Sequence, residues 1–229
     1  MTKHIGIVAC SAEGAALCYR TICLEGAAIL GRHNHPEVSM HTHPLGKYMD
    51  FIYEDNWNGV AELMLSSTRK LAVAGADFAI CPDNTIHKAY ELVIKESPIQ
   101  WLHIGHEVAA EAKSHNYRHL ALLGTRYLME GPVYPDALAQ FSMACIIPPQ
   151  QVRISINEII FDELVNGIIN AQSRSFFTRV IMELKERGCD AVVLGCTEIP
   201  LIVRQEDSCL PILDSTRLLA RAALRRAVA

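Results

Sequence analysis

Short, continuously apolar runs alternate along the chain with longer stretches of helical periodicity. Residues 5–9, 77–81, 101–104, 120–123 and 191–194 read as strands, and 37–43 as a β-prone segment. Residues 12–30, 57–74, 86–95, 108–114, 134–143, 154–166, 173–188 and 216–227 read as helices, the second of them stopped by Gly75. Strands that lack polar alternation are covered on both faces, and strands separated by helices pair in parallel. The pattern therefore predicts an α/β fold with mostly parallel sheets.

One segment occurs twice. Gly75-Ala76-Asp77-Phe78-Ala79-Ile80-Cys81-Pro82-Asp83-Asn84-Thr85 aligns without a gap on Gly188-Cys189-Asp190-Ala191-Val192-Val193-Leu194-Gly195-Cys196-Thr197-Glu198, at an offset of 113. Pro98-Ile99 falls on Pro211-Ile212 at the same offset. With a shift of two more, His4 to Cys10 falls on His119 to Thr125. Several matches in one order predict two similar α/β halves, divided as 1–103 plus 210–229 and 104–209. Ligands of open parallel sheets bind beyond the carboxyl ends of the strands, where Ser11, Asp83, Thr125 and Cys196 all fall. Halves facing each other across a pseudo-twofold axis would bring Asp83 and Cys196 to opposite walls of one cleft.

Composition narrows the function. The 229 residues are half hydrophobic and 20% charged, with a net charge of −4. Neither Lys nor Arg forms a run, so nothing points to nucleic acid or an anionic membrane. The N-terminus enters a strand pattern at once and has no signal-peptide core, and no apolar stretch is long enough to span a bilayer; the expectation is a cytoplasmic protein. The eight cysteines include no CxxC pair and read as reduced thiols. His33, His35, His41 and His43 make two His-x-His pairs, which read as a polar strand edge, and no metal site is expected.

Two proton-transfer groups on opposite faces of one carbon suit stereoinversion. A thiolate can remove a Cα proton when backbone N–H groups or positive charge favour its anion. Cys196 lies at a strand-to-helix turn of this kind. Cys18, Cys23, Cys145 and Cys189 fall in or beside predicted helices and strands, as packing residues.

Gly195-Cys196-Thr197-Glu198-Ile199 and Asn84-Thr85-Ile86-His87 resemble the two signature motifs of the cofactor-independent aspartate/glutamate racemases. The resemblance extends to Leu122-Leu123-Gly124-Thr125-Arg126-Tyr127 and to Ile159-Ile160-Phe161-Asp162-Glu163-Leu164. It implies two pseudo-symmetric α/β domains with the site between them, a homodimer, and an isomerase acting on an amino acid with no pyridoxal phosphate, other cofactor or metal. By the resemblance Cys196 is the catalytic cysteine of the second half. Asn84, Thr85 and Thr197 hold the substrate's α-carboxylate and amino group, with Ser11 and Thr125 completing the cradle.

The chain departs from that pattern in three places. The first-half cysteine is Asp83, which becomes the second catalytic group; beside an anionic substrate and a thiolate it is expected to act as the acid. Asp83 is also suited to cap the helix that follows, and Cys81, on the same strand face, stands as an alternative base. The first loop, Ala9-Cys10-Ser11, is one residue shorter than the family's. Val165 stands where some aspartate racemases carry a basic residue, leaving Lys47 as the basic candidate for a substrate side-chain carboxylate. Two other readings stay open: a single-cysteine decarboxylase or isomerase of the same superfamily, and a non-catalytic amino-acid-binding protein.

Overall fold

The computed structural model describes residues 2–229. Two compact units divide the chain. The first runs to Glu107 and takes back Thr216–Ala229; the second is Val108–Ser215.

In the first unit the elements are β1 (Ile5–Ala9), α1 (Ala12–Leu30), β2 (Val38–Thr42), α2 (Leu45–Tyr53), α3 (Trp57–Val73), β3 (Phe78–Ile80), α4 (Tyr90–Glu96) and β4 (Gln100–Trp101). Helix α5 (Ile104–Ser114) carries the chain into the second unit. There follow β5 (His119–Leu123), α6 (Arg126–Met129), α7 (Val133–Ala139), β6 (Ala144–Ile146), α8 (Gln150–Glu158), α9 (Ala171–Glu186), β7 (Ala191–Leu194), α10 (Ile199–Ile202) and β8 (Ile212–Asp214). Helix α11 (Ser215–Val228) returns to the first unit.

Among the described residues there are two four-stranded sheets, ordered β2-β1-β3-β4 and β6-β5-β7-β8, and their strands pair in parallel throughout. The order is the same in both, so the two copies of the repeated segment form the third strand of each sheet. The fold is the α/β class with two parallel sheets that the hydrophobic pattern predicts. β1, β3 and β7 are buried along their whole length, which is why they read as unbroken apolar runs, whereas β2 and β6 at the edges are partly exposed.

The residues matched in the repeat do the same structural work twice. Gly75 and Gly188 have φ of +93° and +90°, a left-handed backbone that only glycine adopts without strain, and each ends the helix before its strand. Asp77 accepts the His4 backbone N–H at 2.6 Å, while Asp190 accepts the Arg118 N–H at 2.6 Å and the His119 N–H at 3.1 Å. Each aspartate thus joins the third strand of its sheet to the entry of the first.

The core of the first unit gathers Ile5, Ile7, Phe78 and Ile80 from the sheet, Cys18 and Ile22 from α1, Ile104 from α5, and Leu219, Ala220 and Ala223 from α11. The last helix is therefore part of the first unit. None of the eight cysteines is in a disulfide, and among the described residues no helix is long and apolar enough to cross a membrane.

Several boundaries differ from the sequence expectation. Residues 210–215 belong to the second unit because Ile212, Leu213 and Asp214 pair with Val192, Val193 and Leu194 of β7. The predicted helix at 134–143 stops at Ala139; the chain turns at Ser142, with φ of +57°, and enters β6. Of the predicted strand at 101–104 only Trp101 pairs, together with Gln100 before it, and α5 begins at Ile104. α2 carries no strong sequence signal because only Tyr48 and Ile52 of its nine residues are buried. The helix expected at 154–166 is α8 followed by a wide π-turn at Ile159–Glu163 and a tight turn at Leu164–Asn166.

Candidate active site

Each sheet carries one half of the candidate residues on the loops at its carboxyl edge. In the first unit β1 runs into Cys10 and Ser11. The Ser11 hydroxyl accepts the Gly14 N–H at 3.2 Å and caps α1. β3 runs into Cys81, Pro82 and the group Asp83-Asn84-Thr85. Asn84 is buried; Asp83 and Thr85 are half-buried.

Asp83 Oδ1 accepts the Ile86 N–H at 3.3 Å, so the capping role expected of it is present. The element it caps is a tight turn at Thr85–Ala89, ahead of α4. The dipole of so short an element contributes little to anion binding, and the same holds for the four-residue α10 after Cys196. Neither tip therefore gains much from a helix N-terminus. Polar side chains and loop N–H groups are left to hold a carboxylate.

The loop after β3 is held from behind. His87 Nδ1 lies 2.7 Å from the Asp83 carbonyl oxygen, and its Nε2 accepts the Ile104 N–H at 3.3 Å. A carbonyl only accepts and an N–H only donates, so the His87 proton is on Nδ1 and the ring is neutral. Burial lowers the His87 pKa to about 4, opposed in part by the Asp83 carbonyl. His103, edge-on at a ring distance of 4.9 Å, is lowered to about 2, first by burial and then by His87 and His106. His87 thus orients Asp83 through its main chain. Thr216 adds a longer bond to the Pro82 carbonyl, at 3.5 Å.

Cys81 is fully buried. Burial first, and then the Asp83 charge, pushes its thiol well above the usual range. Its Sγ–H is directed at the Asp83 carbonyl at 3.8 Å. That makes it a protonated, buried thiol and a poor base. Lys47 lies exposed on the first turn of α2.

In the second unit β5 runs into Gly124 and Thr125, whose hydroxyl accepts the Leu128 N–H at 3.2 Å and caps α6, as Ser11 caps α1. β7 runs into Gly195 and Cys196. The two loops lie side by side, with the Gly195 N–H donating to the Leu123 carbonyl at 2.7 Å. A Cβ on Gly195 would sit 2.6 Å from Leu128 Cδ2 and 3.2 Å from the Leu123 carbonyl oxygen; one on Gly124 would sit 3.2 Å from the Gly195 carbonyl oxygen. Close backbone approach is thus the physical reason for the glycine before Cys196.

Cys196, Thr197 and Glu198 are all buried. The Cys196 thiol donates to Glu198 Oε2 at 2.9 Å, and the Thr197 hydroxyl donates to the same oxygen at 2.6 Å. Glu198 therefore offers an acceptor for the thiol proton and fixes the direction in which it points. Glu198 is part of the repeated tip, but its position in the sequence does not reveal that its carboxylate turns back onto the thiol.

The His-x-His pairs are bonded to neighbouring polar groups. His41 Nδ1 meets the Ser67 hydroxyl at 2.9 Å and His43 Nε2 meets the Ser66 hydroxyl at 3.2 Å, both on α3, while His35 Nδ1 meets the Pro36 carbonyl at 2.8 Å. Among the described residues no group of three or more His, Cys, Asp or Glu is placed to hold a metal ion.

Comparison with known proteins agrees with this architecture. A solved structure of a candidate Asp/Glu racemase from Yersinia pestis is 30% identical and superposes with a TM-score of 0.91, over 99% of this chain and 100% of that one. An aspartate racemase homologue from Pyrococcus horikoshii is 25% identical, with a TM-score of 0.86 over the whole of both chains. The broad specificity amino-acid racemase RacX of Bacillus subtilis is 22% identical over 82% of this chain and 81% of its own length. The family model for Asp/Glu/hydantoin racemases matches residues 10–223. With nearly the whole chain covered by that match, the protein belongs to the Asp/Glu/hydantoin racemase family.

Proposed function

We propose that the protein is a pyridoxal-phosphate-independent amino-acid racemase of the aspartate/glutamate type, with Cys196 and Asp83 as its proton-transfer pair. The observation that carries the proposal is the Cys196 thiol held 2.9 Å from the buried Glu198 carboxylate, at the strand end that matches Asp83 in the other sheet. In this reading the substrate is an amino acid. Asn84, Thr85, Thr197, Ser11 and Thr125 bind its α-carboxylate and amino group.

The proton balance is direct. Cys196 passes its proton to Glu198, and the thiolate takes the Cα proton. The carbanion, its charge spread into the α-carboxylate, takes a proton from the Asp83 carboxylic acid on the other face. The cycle ends with Cys196 as thiol, Asp83 as carboxylate and Glu198 protonated, and exchange with solvent removes the Glu198 proton and returns one to Asp83. In the reverse direction Asp83 is the base and Cys196 the acid. A thiol and a carboxyl are unequal partners, so the two enantiomers turn over at different rates.

Lys47 is the basic group proposed for a substrate side-chain carboxylate. The likeness to RacX, named for broad specificity, supports testing a wide panel of amino acids. The family resemblance also supports a cytosolic homodimer, which sedimentation would test.

The experiment is solvent deuterium uptake at Cα, measured for both enantiomers of the common amino acids with no added cofactor. Cys196→Ala is expected to abolish uptake from at least one enantiomer. Asp83→Asn is expected to slow the opposite direction more. Uptake unchanged in both variants overturns the proposal. Carbon dioxide release would select the decarboxylase reading, and binding without exchange would select the binding protein.

A further inference from the structure

Thr197 enters the mechanism above only as one of several substrate contacts, yet its hydroxyl already has a partner within the protein. It donates to Glu198 Oε2 at 2.6 Å, and the Cys196 thiol donates to the same oxygen at 2.9 Å. All three side chains are buried, with Thr197 4% and Glu198 5% exposed. One carboxylate oxygen thus takes two hydrogens in a setting closed to bulk water.

A carboxylate oxygen has two lone-pair sites. At Oε2 the Thr197 hydroxyl takes one and the thiol takes the other. The torsion that turns a glutamate carboxylate is broad, so nothing within Glu198 decides which oxygen faces the sulfur. The Thr197 bond decides it, being a short bond from a hydroxyl to a carboxylate oxygen, the stronger kind. When the thiol proton crosses to Oε2, the Thr197 bond can stay in place on the other lone pair. The new O–H then remains aimed at the sulfur, and the proton can return along the same line. Without the hydroxyl the protonated carboxyl is free to swing away.

The repeat ties this arrangement to the thiol. At the offset of 113, Cys196, Thr197 and Glu198 fall on Asp83, Asn84 and Thr85, so the first tip has no second carboxylate. A thiol of ordinary pKa, about 8.5, holds its proton at neutral pH and gains from an acceptor beside it; a carboxyl has no such need. We propose that Thr197 is a positioning residue for Glu198: its hydroxyl holds Oε2 toward Cys196, so that the thiol proton leaves and returns along one fixed line. A hydroxyl has one hydrogen and two lone pairs. With that hydrogen on Glu198, Thr197 meets a substrate only as an acceptor, which suits the ammonium group and not the α-carboxylate. The catalytic consequence rests on the reading of Cys196 as a proton-transfer group; the effect on the thiol does not.

Two measurements on the full chain test this. Thr197→Val keeps the shape and removes the hydroxyl, whereas Thr197→Ser keeps the hydroxyl and drops a methyl. The first measurement is the pH profile of Cys196 alkylation by iodoacetamide, read by mass spectrometry on the peptide that carries Cys196. At neutral pH Thr197→Val is expected to react about fivefold more slowly or worse, with its profile moved to higher pH, and Thr197→Ser to stay within about twofold of wild type. Glu198→Gln is expected to show the same loss, with no further loss when Thr197→Val is added. Should Thr197→Val fail to fold, Thr197→Ala carries the same expectations. A valine variant that reacts like wild type, or a loss undiminished in the Glu198→Gln background, overturns the inference. The second measurement is deuterium uptake in the direction that uses Cys196 as base. In Thr197→Val kcat is expected to fall about tenfold or more and KM to rise less than about threefold, with recovery in Thr197→Ser. A raised KM with kcat and alkylation unchanged makes Thr197 a substrate contact alone and overturns the inference. If alkylation follows the expected pattern while the wild type exchanges no amino acid, the role of Thr197 stands and the racemase reading falls.

Discussion

Replacing His87 by alanine separates a structural role from a catalytic one. The ring is buried and neutral, donating to the Asp83 carbonyl and accepting from Ile104 N–H. Its loss strands a buried N–H and leaves a cavity, at a cost of about 3 kcal/mol. The pH dependence is more diagnostic. The folded pKa of about 4 lies below the ordinary 6.5. Between those values the unfolded chain binds the extra proton, so the contribution is fully present above the unfolded pKa and is lost as pH falls toward the folded one. From pH 8 to pH 5 that loss is about 2 kcal/mol. The assay is urea denaturation of wild type and His87→Ala at both pH values. The variant is expected to be less stable at pH 8, with the gap narrowing by about 2 kcal/mol at pH 5. His103 is present in both proteins and largely cancels from the comparison. A gap of the same size at both pH values would refute the buried neutral histidine.

Glu198→Gln keeps the shape and hydrogen bonding beside Cys196 but removes the proton acceptor. Deuterium uptake through Cys196 is expected to drop about 100-fold with little change in KM, and an undiminished rate would remove Glu198 from the proton path. Gly195→Ala places a methyl 2.6 Å from Leu128 Cδ2 and 3.2 Å from the Leu123 carbonyl oxygen. Leu128 can shift but the carbonyl cannot, so a stability loss of about 1–3 kcal/mol is expected, with activity reduced as the Cys196 loop moves. A variant as stable and active as wild type would show that the two loops have room to separate.

The repeat shows how much of the site was legible before any coordinates. Gly75 with Asp77, and Gly188 with Asp190, are local signals: a helix stop, then a carboxylate that takes the backbone N–H at the entry of the first strand. The same chemistry twice implies the same geometry twice. The strand tips carrying Asp83 and Cys196 could therefore be paired from spacing alone. Cys18 and Cys189 could be read as buried packing residues for a similarly local reason: each falls in or beside an apolar segment.

The sequence by itself determined the α/β class, the twofold repetition and the strand ends that carry the chemistry, because backbone periodicity and turn stereochemistry act over a few residues. Tertiary structure decided what those ends can do. Strand β8 is three residues long, and only its pairing with β7 assigns it to the second unit. The Glu198 carboxylate meets the Cys196 thiol because a tight turn before α10 brings it back. His87 comes to hold the Ile104 N–H, 17 residues further on, through the approach of the loop after β3 to the start of α5, and no local pattern encodes such a contact. Side-chain partners across that distance depend on how helices cover a sheet, and it is those partners that set each proton's direction.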